Sequence, residues 1–209
     1  MLLRKSMCVL VMSALALTAK IGNADIMSRV WLDEGWSKRD AQTWYTLSPG
    51  SRLITENWIT SLASGQDNAA FSDRPFFQKF GFPYSDDTAS WPIGFVMDYD
   101  DAGQSYLGLN CAACHTAQLK FQDTEILAHG GQNFGDLRQL IEELTMAVKT
   151  TLLDDMAFQQ FQTKVGQDAD HLKTEMQLWL DERHAIDRTL EGTQDWLPGS
   201  ADAVSFIFA

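Results

Sequence analysis

Cysteine, histidine and basic side chains are scarce in this 209-residue chain, and each shortage removes a class of protein. With three cysteines and four histidines there is no second cysteine pair, so the four-ligand cluster of a structural zinc site is not expected. Lysine and arginine total 16 against 28 acidic residues and form no basic stripe, which argues against nucleic-acid binding. Repeats and low-complexity segments are also missing. The hydrophobic fraction of 45% still indicates a folded protein with a core.

The longest apolar run, residues 7–17, is too short for a stable membrane anchor, which needs roughly 20 residues. Arg4 and Lys5 precede it, and small residues follow it up to Ala24. This is the layout of a secretory signal peptide cleaved after Ala24. An uncleaved anchor is the alternative, whereas Cys8 lies too early in the run for a lipoprotein cleavage site. We predict export to the periplasm, with residues 1–24 removed and no stable membrane anchor left.

The two remaining cysteines lie in the pentapeptide Cys111-Ala112-Ala113-Cys114-His115. The pattern C-x-x-C-H is typical of a c-type haem attachment site. Residues three apart lie on one face of a helical turn, so both thiols can reach the two vinyl groups of one porphyrin. His115 follows the second thiol and can bind the iron as its proximal ligand. The sequence therefore predicts one haem c, attached through thioethers at Cys111 and Cys114.

The same motif also occurs in three other kinds of site. A zinc site lacks further ligands, as noted above. A thioredoxin-like redox pair requires a strand-to-helix turn in a βαβ unit, and residues 106–110 are only weakly strand-like. A plain disulfide is possible in an oxidising compartment but gives no role to His115. Haem attachment is the interpretation that uses all three side chains.

The ligand on the far side of the iron is not identified by the sequence. His129, flanked by Gly130 and Gly131, and Met97 are weak candidates, and His129 is also a candidate neighbour of the haem pocket or a propionate. The other two histidines, His171 and His184, are expected to be solvent-exposed, and Met146 is expected at the surface. Met156 and Met176 are expected in the core. Catalytic residues remain unassigned.

The flanking segments predict a mainly α fold, a cytochrome c-like haem domain over residues 25–209 with long loops. Apolar residues at helical spacing predict three helices after Gly131. Their buried faces contain Leu137, Leu140, Ile141, Leu144 and Val148; then Phe158, Phe161 and Val165; then Leu172, Met176, Trp179, Leu180 and Ile186. Asp136 is a plausible helix N-cap, and Pro75 suits the first turn of a short helix. Residues 118–121 and 125–128 predict a small β-hairpin just after the haem motif.

The stretch Trp91-Pro92-Ile93-Gly94-Phe95, with residues 106–116 and Gly130-Gly131, resembles the N-terminal half of large di-haem cytochromes. These are the relatives of bacterial cytochrome c peroxidase that include the rubber oxygenases. The segments 58–62, 79–82, 134–140 and 196–203 are similar as well. The resemblance implies a haem domain with His115 as proximal ligand. The family carries a second C-x-x-C-H, which is absent from these 209 residues, and it has Asp where this chain has His129.

Two functions remain open. The first is an exported c-type cytochrome with one haem that transfers electrons. Residues 25–209 carry a formal net charge of −15, since three basic and no acidic residues lie in 1–24, and this charge would steer a redox partner with a basic surface. The alternative, which the resemblance implies, is a peroxidase- or oxygenase-type enzyme with an open iron site. Arg74, Gln132 and His129 are then the polar residues, near recognisable segments of the sequence, that suggest a distal proton-handling group.

Overall fold

The computed structural model describes residues 28–63 and 70–190 of the chain. These residues form six strands and seven helices. The strands are β1 (Ser28–Trp31), β2 (Ile54–Thr55), β3 (Phe95–Tyr99), β4 (Ser105–Leu109), β5 (Thr116–Phe121) and β6 (Thr124–His129). The helices are α1 (Lys38–Thr46), α2 (Glu56–Ser61), α3 (Arg74–Lys79), α4 (Cys111–Cys114), α5 (Leu137–Leu153), α6 (Asp155–Val165) and α7 (Ala169–Leu190). The signal peptide predicted for residues 1–24 and the segment 196–203 lie outside the described residues.

The mainly α, cytochrome c-like fold predicted from the sequence is wrong, because the strands form two three-stranded sheets and the fold is mixed α/β. One sheet has the order β1-β6-β5 and the other the order β2-β4-β3. Residues 106–110 are only weakly strand-like in sequence, yet β4 is the central strand of the second sheet. Its burial rises towards its end instead of alternating along the strand. A buried strand of this kind gives an apolar run without the period-two signal that identifies strands in a sequence.

The β-hairpin expected after the haem motif is present as β5 and β6, which pair antiparallel from Thr116 opposite His129 to Phe121 opposite Thr124. Gln122, in the two-residue turn, has φ of 53°. Tight hairpin turns require such positive values to match the strand twist. The sheet is larger than predicted, since β1 adds to β6 in parallel, with Val30 opposite Ile126.

The three helices predicted after Gly131 are confirmed as α5, α6 and α7. The apolar positions predicted for α5 and α6 are all buried, and on α7 Leu172, Met176 and Leu180 are buried. Asp136 caps α5 by accepting the N–H of Gln139 at 2.9 Å. Pro75 lies in the first turn of α3, as expected. Helices α5 and α6 pack together, as do α5 and α7, and they bury one side of the main core.

The β2-β4-β3 sheet brings the end of β4 into the core, and the chain passes from it directly into α4. Leu107 and Leu109 of β4 are almost fully buried. At Gly108, between them, a Cβ atom would lie 1.9 Å from the carbonyl oxygen of Ser51. The absence of a side chain at Gly108 therefore lets the backbone at Ser51 lie directly against β4. The short helix that carries the haem motif begins on this fixed strand.

Candidate haem-attachment site

The C-x-x-C-H pentapeptide forms one capped helical turn. Asn110 is its N-cap, and its side-chain oxygen accepts the backbone N–H of Ala112 at 2.9 Å. At the other end the backbone N–H of His115 donates to the carbonyl of Cys111, also at 2.9 Å. Asparagine is among the best N-cap residues because its oxygen satisfies an otherwise unpaired N–H. Cys111 and Cys114, three positions apart on this turn, therefore share a face.

The turn is anchored through its two alanines. Ala112 and Ala113 are buried, whereas Cys111 and His115 are exposed and Cys114 is half-buried. Gly94, at φ of 84°, lies against the alanines, and a Cβ atom there would be 1.9 Å from the backbone nitrogen of Ala113. The side chains with haem-binding chemistry are thus the accessible part of the turn.

Two asparagines that sequence reasoning did not single out hold this turn in place. The side-chain amide of Asn110 donates to the carbonyls of Trp44 and Leu47, both at 3.0 Å, and so joins the turn to the end of α1. Asn133 donates from its backbone to the carbonyl of Cys114 and from its side chain to that of Ala113, both at 2.8 Å. Asn110 could have been found as an N-cap signal directly before the motif. Asn133 gives no local signal, because its role depends on the tertiary fold.

The cysteines do not resemble a reactive redox pair. Burial, and to a smaller extent the neighbouring Cys111, raise the pKa of the Cys114 thiol, whereas reactive thiols have lowered values. The thiols are not bonded to each other. Helix α4 does follow a strand directly, but that strand is antiparallel to its neighbours and the next strand, β5, belongs to the other sheet. The βαβ unit of a thioredoxin-like site is therefore not present here.

An apolar cavity of about 460 Å³ lies beside Cys111. This volume is within the range of cofactor and ligand sites. Its walls include Trp36, Trp44 and Leu47, and the two indole rings meet edge to face with centroids 5.6 Å apart. Within the part of the chain that the structure describes, the buried indole N–H of Trp44 has no hydrogen-bond partner. Apolar walls, an unpaired donor and an adjacent thiol fit a flat apolar macrocycle. The Asp40 carboxylate also lines the cavity, so anionic substituents would have to lie away from it.

His129 stacks on Trp36, one of the cavity walls, but belongs to a separate hydrogen-bond network. Its Nδ1 donates to Oε2 of Glu34 at 2.8 Å, and its Nε2 is hydrogen-bonded to the hydroxyl of Tyr45. The imidazole stacks on Trp31 and Trp36, with ring centroids 4.9 and 5.0 Å apart. Both ring nitrogens are engaged, and His129 does not line the cavity beside Cys111. It lines a second cavity, of about 620 Å³, with which the first shares Trp36.

The electrostatics of this network follow from its hydrogen bonds. Burial alone would raise the pKa of Glu34. The hydrogen bonds from the ring and the backbone N–H of His129 outweigh this effect, so the pKa of Glu34 lies below its ordinary value. Burial, followed by the nearby Glu34 charge, raises the pKa of Tyr45 well above its ordinary range. The acid is therefore ionised and the phenol neutral at pH 7. Neither Glu34 nor Tyr45 carries a motif that would have revealed this partnership with His129.

The remaining sequence candidates lie apart from the motif. Met97 is on β3, half-buried against the main core and opposite Leu107. His171 and His184 are exposed on α7, as expected, and His171 is 3.2 Å from Glu175. Arg74 donates to two backbone carbonyls, those of Asp86 and Ala89.

Two of the three methionine predictions are confirmed. Met146 is exposed and Met176 is fully buried. Met156, predicted to be core, is 71% exposed, because α6 buries its opposite side.

Comparisons with known proteins give little further guidance. No family model matches the chain, and no solved structure matches it. It is similar to the uncharacterized protein y4iJ of Sinorhizobium fredii, with 24% identity over 162 residues. That alignment covers 67% of this chain and 27% of the relative, so the chain spans about a quarter of that protein's length. Among the described residues, none of the helices is both long and apolar enough to cross a membrane.

Proposed function

We propose that this protein is an exported c-type cytochrome that binds one haem and transfers electrons. Cys111 and Cys114 form the thioethers and His115 is the proximal ligand of the iron. The observation that carries the proposal is the arrangement of the motif turn. Its alanines are buried, and its cysteines and histidine are its accessible part, next to an apolar cavity. This accessibility suits attachment of a large group to a turn that is already anchored.

Each residue of the site has a defined task in this proposal. The bound haem supplies one-electron iron chemistry, which the side chains of the protein lack. Cys111 and Cys114 would hold the haem covalently, and His115 would bind its iron. Trp36, Trp44 and Leu47 would give the haem apolar walls to lie against. The unpaired indole N–H of Trp44 offers a hydrogen bond to an anionic substituent. Asn110 and Asn133 hold the motif turn against α1 and the core.

Export and the choice of partner complete the proposal. Residues 1–24 direct the chain to the periplasm and are then removed. The net charge of −15 on the remaining chain attracts a redox partner with a basic surface, and it does not favour nucleic acid. The rate of electron exchange with a basic protein is therefore expected to fall as salt is raised, because exposed charges beyond about 10 Å are screened at 0.1 M ionic strength.

The test is expression of the full chain in a bacterial host with haem-maturation machinery, followed by a haem stain of the denatured protein and a reduced spectrum. We expect covalent haem in the wild type and in Cys8→Ala, the matched control, whose cysteine lies in the predicted signal peptide. Cys111→Ala and Cys114→Ala should lose one thioether each, and the double variant should lose covalent haem altogether. A wild type without covalent haem, from a periplasm that matures a control cytochrome, would refute the proposal.

Two observations favour a second function, that of a peroxidase- or oxygenase-type haem enzyme with an open iron. Both ring nitrogens of His129 are already bonded to other side chains. Among the described residues, the walls of the cavity beside Cys111 contain neither histidine nor methionine. Carbon monoxide distinguishes the two functions. A reduced spectrum that CO leaves unchanged indicates a six-coordinate electron carrier, and a clear shift indicates an open iron and calls for peroxide and oxygen assays.

A further inference from the structure

Three side chains outside the motif turn form a chain of hydrogen bonds that ends on a phenol. The hydroxyl of Tyr45, on α1, is bonded to Nε2 of His129, the last residue of β6. Nδ1 of the same ring donates to Oε2 of Glu34, in the loop after β1, at 2.8 Å. The side chain of His129 is 7% exposed, and Tyr45 is half-buried. Because Nδ1 is the donor to Glu34, Nε2 of a neutral ring has a lone pair that can accept the phenolic proton.

Aromatic rings surround this chain of hydrogen bonds. The ring centroid of Trp31 lies 4.9 Å from that of His129 and 5.4 Å from that of Tyr45. Trp36 stacks on the other rings at 5.0 Å from His129, and it meets Trp44 at 5.6 Å in the wall of the cavity next to the motif turn. A continuous set of aromatic rings therefore joins that cavity to Tyr45.

The hydroxyl of Tyr45 differs from those of the other tyrosines. The chain has four tyrosines, all within the described residues, and Tyr45 is the one bonded to an imidazole. Tyr106 donates to Asp100 at 3.3 Å, but hydrogen bonds from backbone N–H groups hold the pKa of Asp100 below its ordinary value. Such a carboxylate is a far weaker proton acceptor than an imidazole. Among the described residues the buried hydroxyl of Tyr84 has no hydrogen-bond partner, and Tyr99 is 63% exposed.

We propose that Tyr45 is a redox-active tyrosine, which gives one electron to a transition-metal centre of high potential while its proton passes to His129. The metal gains the electron, the phenolic O–H bond of Tyr45 breaks, and an N–H bond forms at Nε2 of His129. The products are the reduced metal, a neutral tyrosyl radical and an imidazolium. Return of one electron reverses each change. An oxidised phenol is a strong acid, so a base already within hydrogen-bond reach makes loss of the electron easier.

Glu34 stabilises the charge that this step creates. The pKa of Glu34 lies below its ordinary value, so the carboxylate is ionised at pH 7. It therefore attracts the imidazolium at His129, and partial burial strengthens that attraction. The proposal does not rest on the proposed haem, because none of these three residues belongs to the motif turn and any metal oxidant of sufficient potential can accept the electron.

Photo-oxidation of the full-length protein by tris(bipyridine)ruthenium(III), followed by electron paramagnetic resonance of frozen samples, tests the proposal. This complex can oxidise tryptophan as well as tyrosine, and its positive charge suits an acidic chain. We expect the spectrum of a neutral tyrosyl radical in the wild type and in Tyr106→Phe, the matched control, and a severalfold smaller signal in Tyr45→Phe. Tryptophan radicals alone in the wild type would overturn the proposal. So would a tyrosyl signal of full size in Tyr45→Phe.

The role of His129 is tested by the rate at which the radical forms. His129→Gln keeps a hydrogen-bonding side chain without a basic nitrogen, so it should slow radical formation by about tenfold. Deuterated water should slow the wild type but not this variant, because only the wild type transfers a proton in the step. Glu34→Gln removes the stabilising charge and should also slow the reaction, which provides a second test if His129→Gln does not fold. Rates equal to that of the wild type in the folded variants would overturn the proposal.

The double variant with alanine at both motif cysteines separates this proposal from the proposed function. Cys111→Ala combined with Cys114→Ala removes both thioether positions and both thiols, and it leaves the residues around Tyr45 unchanged. We expect the same tyrosyl signal from this variant as from the wild type. A tyrosyl radical in a protein that never acquires haem would therefore refute the proposed function alone, whereas a haem protein without the radical would refute the redox role of Tyr45 alone.

Discussion

Nδ1 of His129 donates a hydrogen bond of 2.8 Å to Oε2 of Glu34, a residue 95 positions earlier in the chain. Oε1 of the same carboxylate accepts the backbone N–H of His129 at 3.0 Å, so Glu34 holds both the ring and the main chain of the histidine. In a neutral ring this leaves Nε2 as an acceptor for the Tyr45 hydroxyl. The histidine thus ties β6 to the loop after β1 and to α1. We therefore expect His129 to be a structural residue and not an iron ligand.

His129→Ala is therefore expected to lower the free energy of unfolding by about 2–4 kcal/mol. It removes two side-chain hydrogen bonds and the stacking on Trp31 and Trp36. If the protein binds haem as we propose, the reduced spectrum should keep its shape with and without CO, because His129 would not be a ligand of the iron. Urea unfolding and spectroscopy check the two parts, with His184→Ala as an exposed control. A changed spectrum together with unaltered stability would make His129 the distal ligand after all.

Glu34→Gln tests the same network through pH. The folded-state pKa of Glu34 lies below its ordinary value of 4.5, so its ionised form is favoured by folding. Such a carboxylate contributes stability that is fully present above the unfolded pKa and is lost as pH falls through the folded pKa. Wild type should therefore exceed Glu34→Gln in unfolding free energy at pH 7, and the difference should narrow below pH 4.5.

Urea titrations from pH 7 downward measure that difference, with Glu182→Gln as the control at an exposed acid. A gap between wild type and Glu34→Gln that stays constant through the acidic range would mean that Glu34 is not linked to folding in this way.

The helices of the C-terminal half could be predicted from the sequence, whereas the strand pairing of the first sheet could not. Helices α5 to α7 could be predicted because apolar residues recur three and four positions apart on the buried face of each helix, as do Leu137, Leu140 and Leu144 on α5. The parallel pairing of β1 with β6 places Arg29 beside Glu125, 96 positions away, and no local pattern encodes such a contact. Local spacing therefore indicates the helices but not the sheets, and for this reason the sequence predicts a mainly α fold.

The candidate site likewise has features that neighbouring residues predict and features that depend on residues far apart in the chain. The haem motif and the solvent exposure of His171 and His184 could be read from neighbouring residues alone. The environment of His129 could not, because its partners Glu34 and Tyr45 lie 95 and 84 positions away. The cavity beside Cys111 likewise depends on the packing of α1 against α4.

Asn110 is expected to act through two separable functions, as a helix cap and as a brace on α1. Asn110→Ser keeps a good capping oxygen but loses the bonds to the carbonyls of Trp44 and Leu47, and Asn110→Ala loses both functions. We expect Asn110→Ala to cost about 2–3 kcal/mol and Asn110→Ser about 1 kcal/mol less. Chemical unfolding of the purified variants measures this. If Asn110→Ser is as stable as wild type, the brace contributes nothing.

Gly94 is the position where the haem motif depends most directly on the absence of a side chain. Gly94 and Gly103 have nearly the same φ, 84° and 81°, so alanine at either carries the same backbone penalty of about 1–2 kcal/mol. Their surroundings differ. A Cβ atom at Gly94 would lie 1.9 Å from the backbone nitrogen of Ala113, whereas nothing lies within 4 Å of one at Gly103. The contact at Gly94 is with backbone of the motif turn and cannot be relieved by a side-chain rotation.

Gly94→Ala should therefore destabilise the protein by at least about 4 kcal/mol, and Gly103→Ala only by the backbone penalty. Because the clash displaces the turn between Cys111 and Cys114, the yield of covalent haem in the exported protein should fall sharply for Gly94→Ala and stay near wild type for Gly103→Ala. Haem staining normalised to total exported protein, together with urea unfolding, provides both readouts. Equal losses in the two variants would show that the left-handed backbone, and not the approach of Gly94 to Ala113, governs the site.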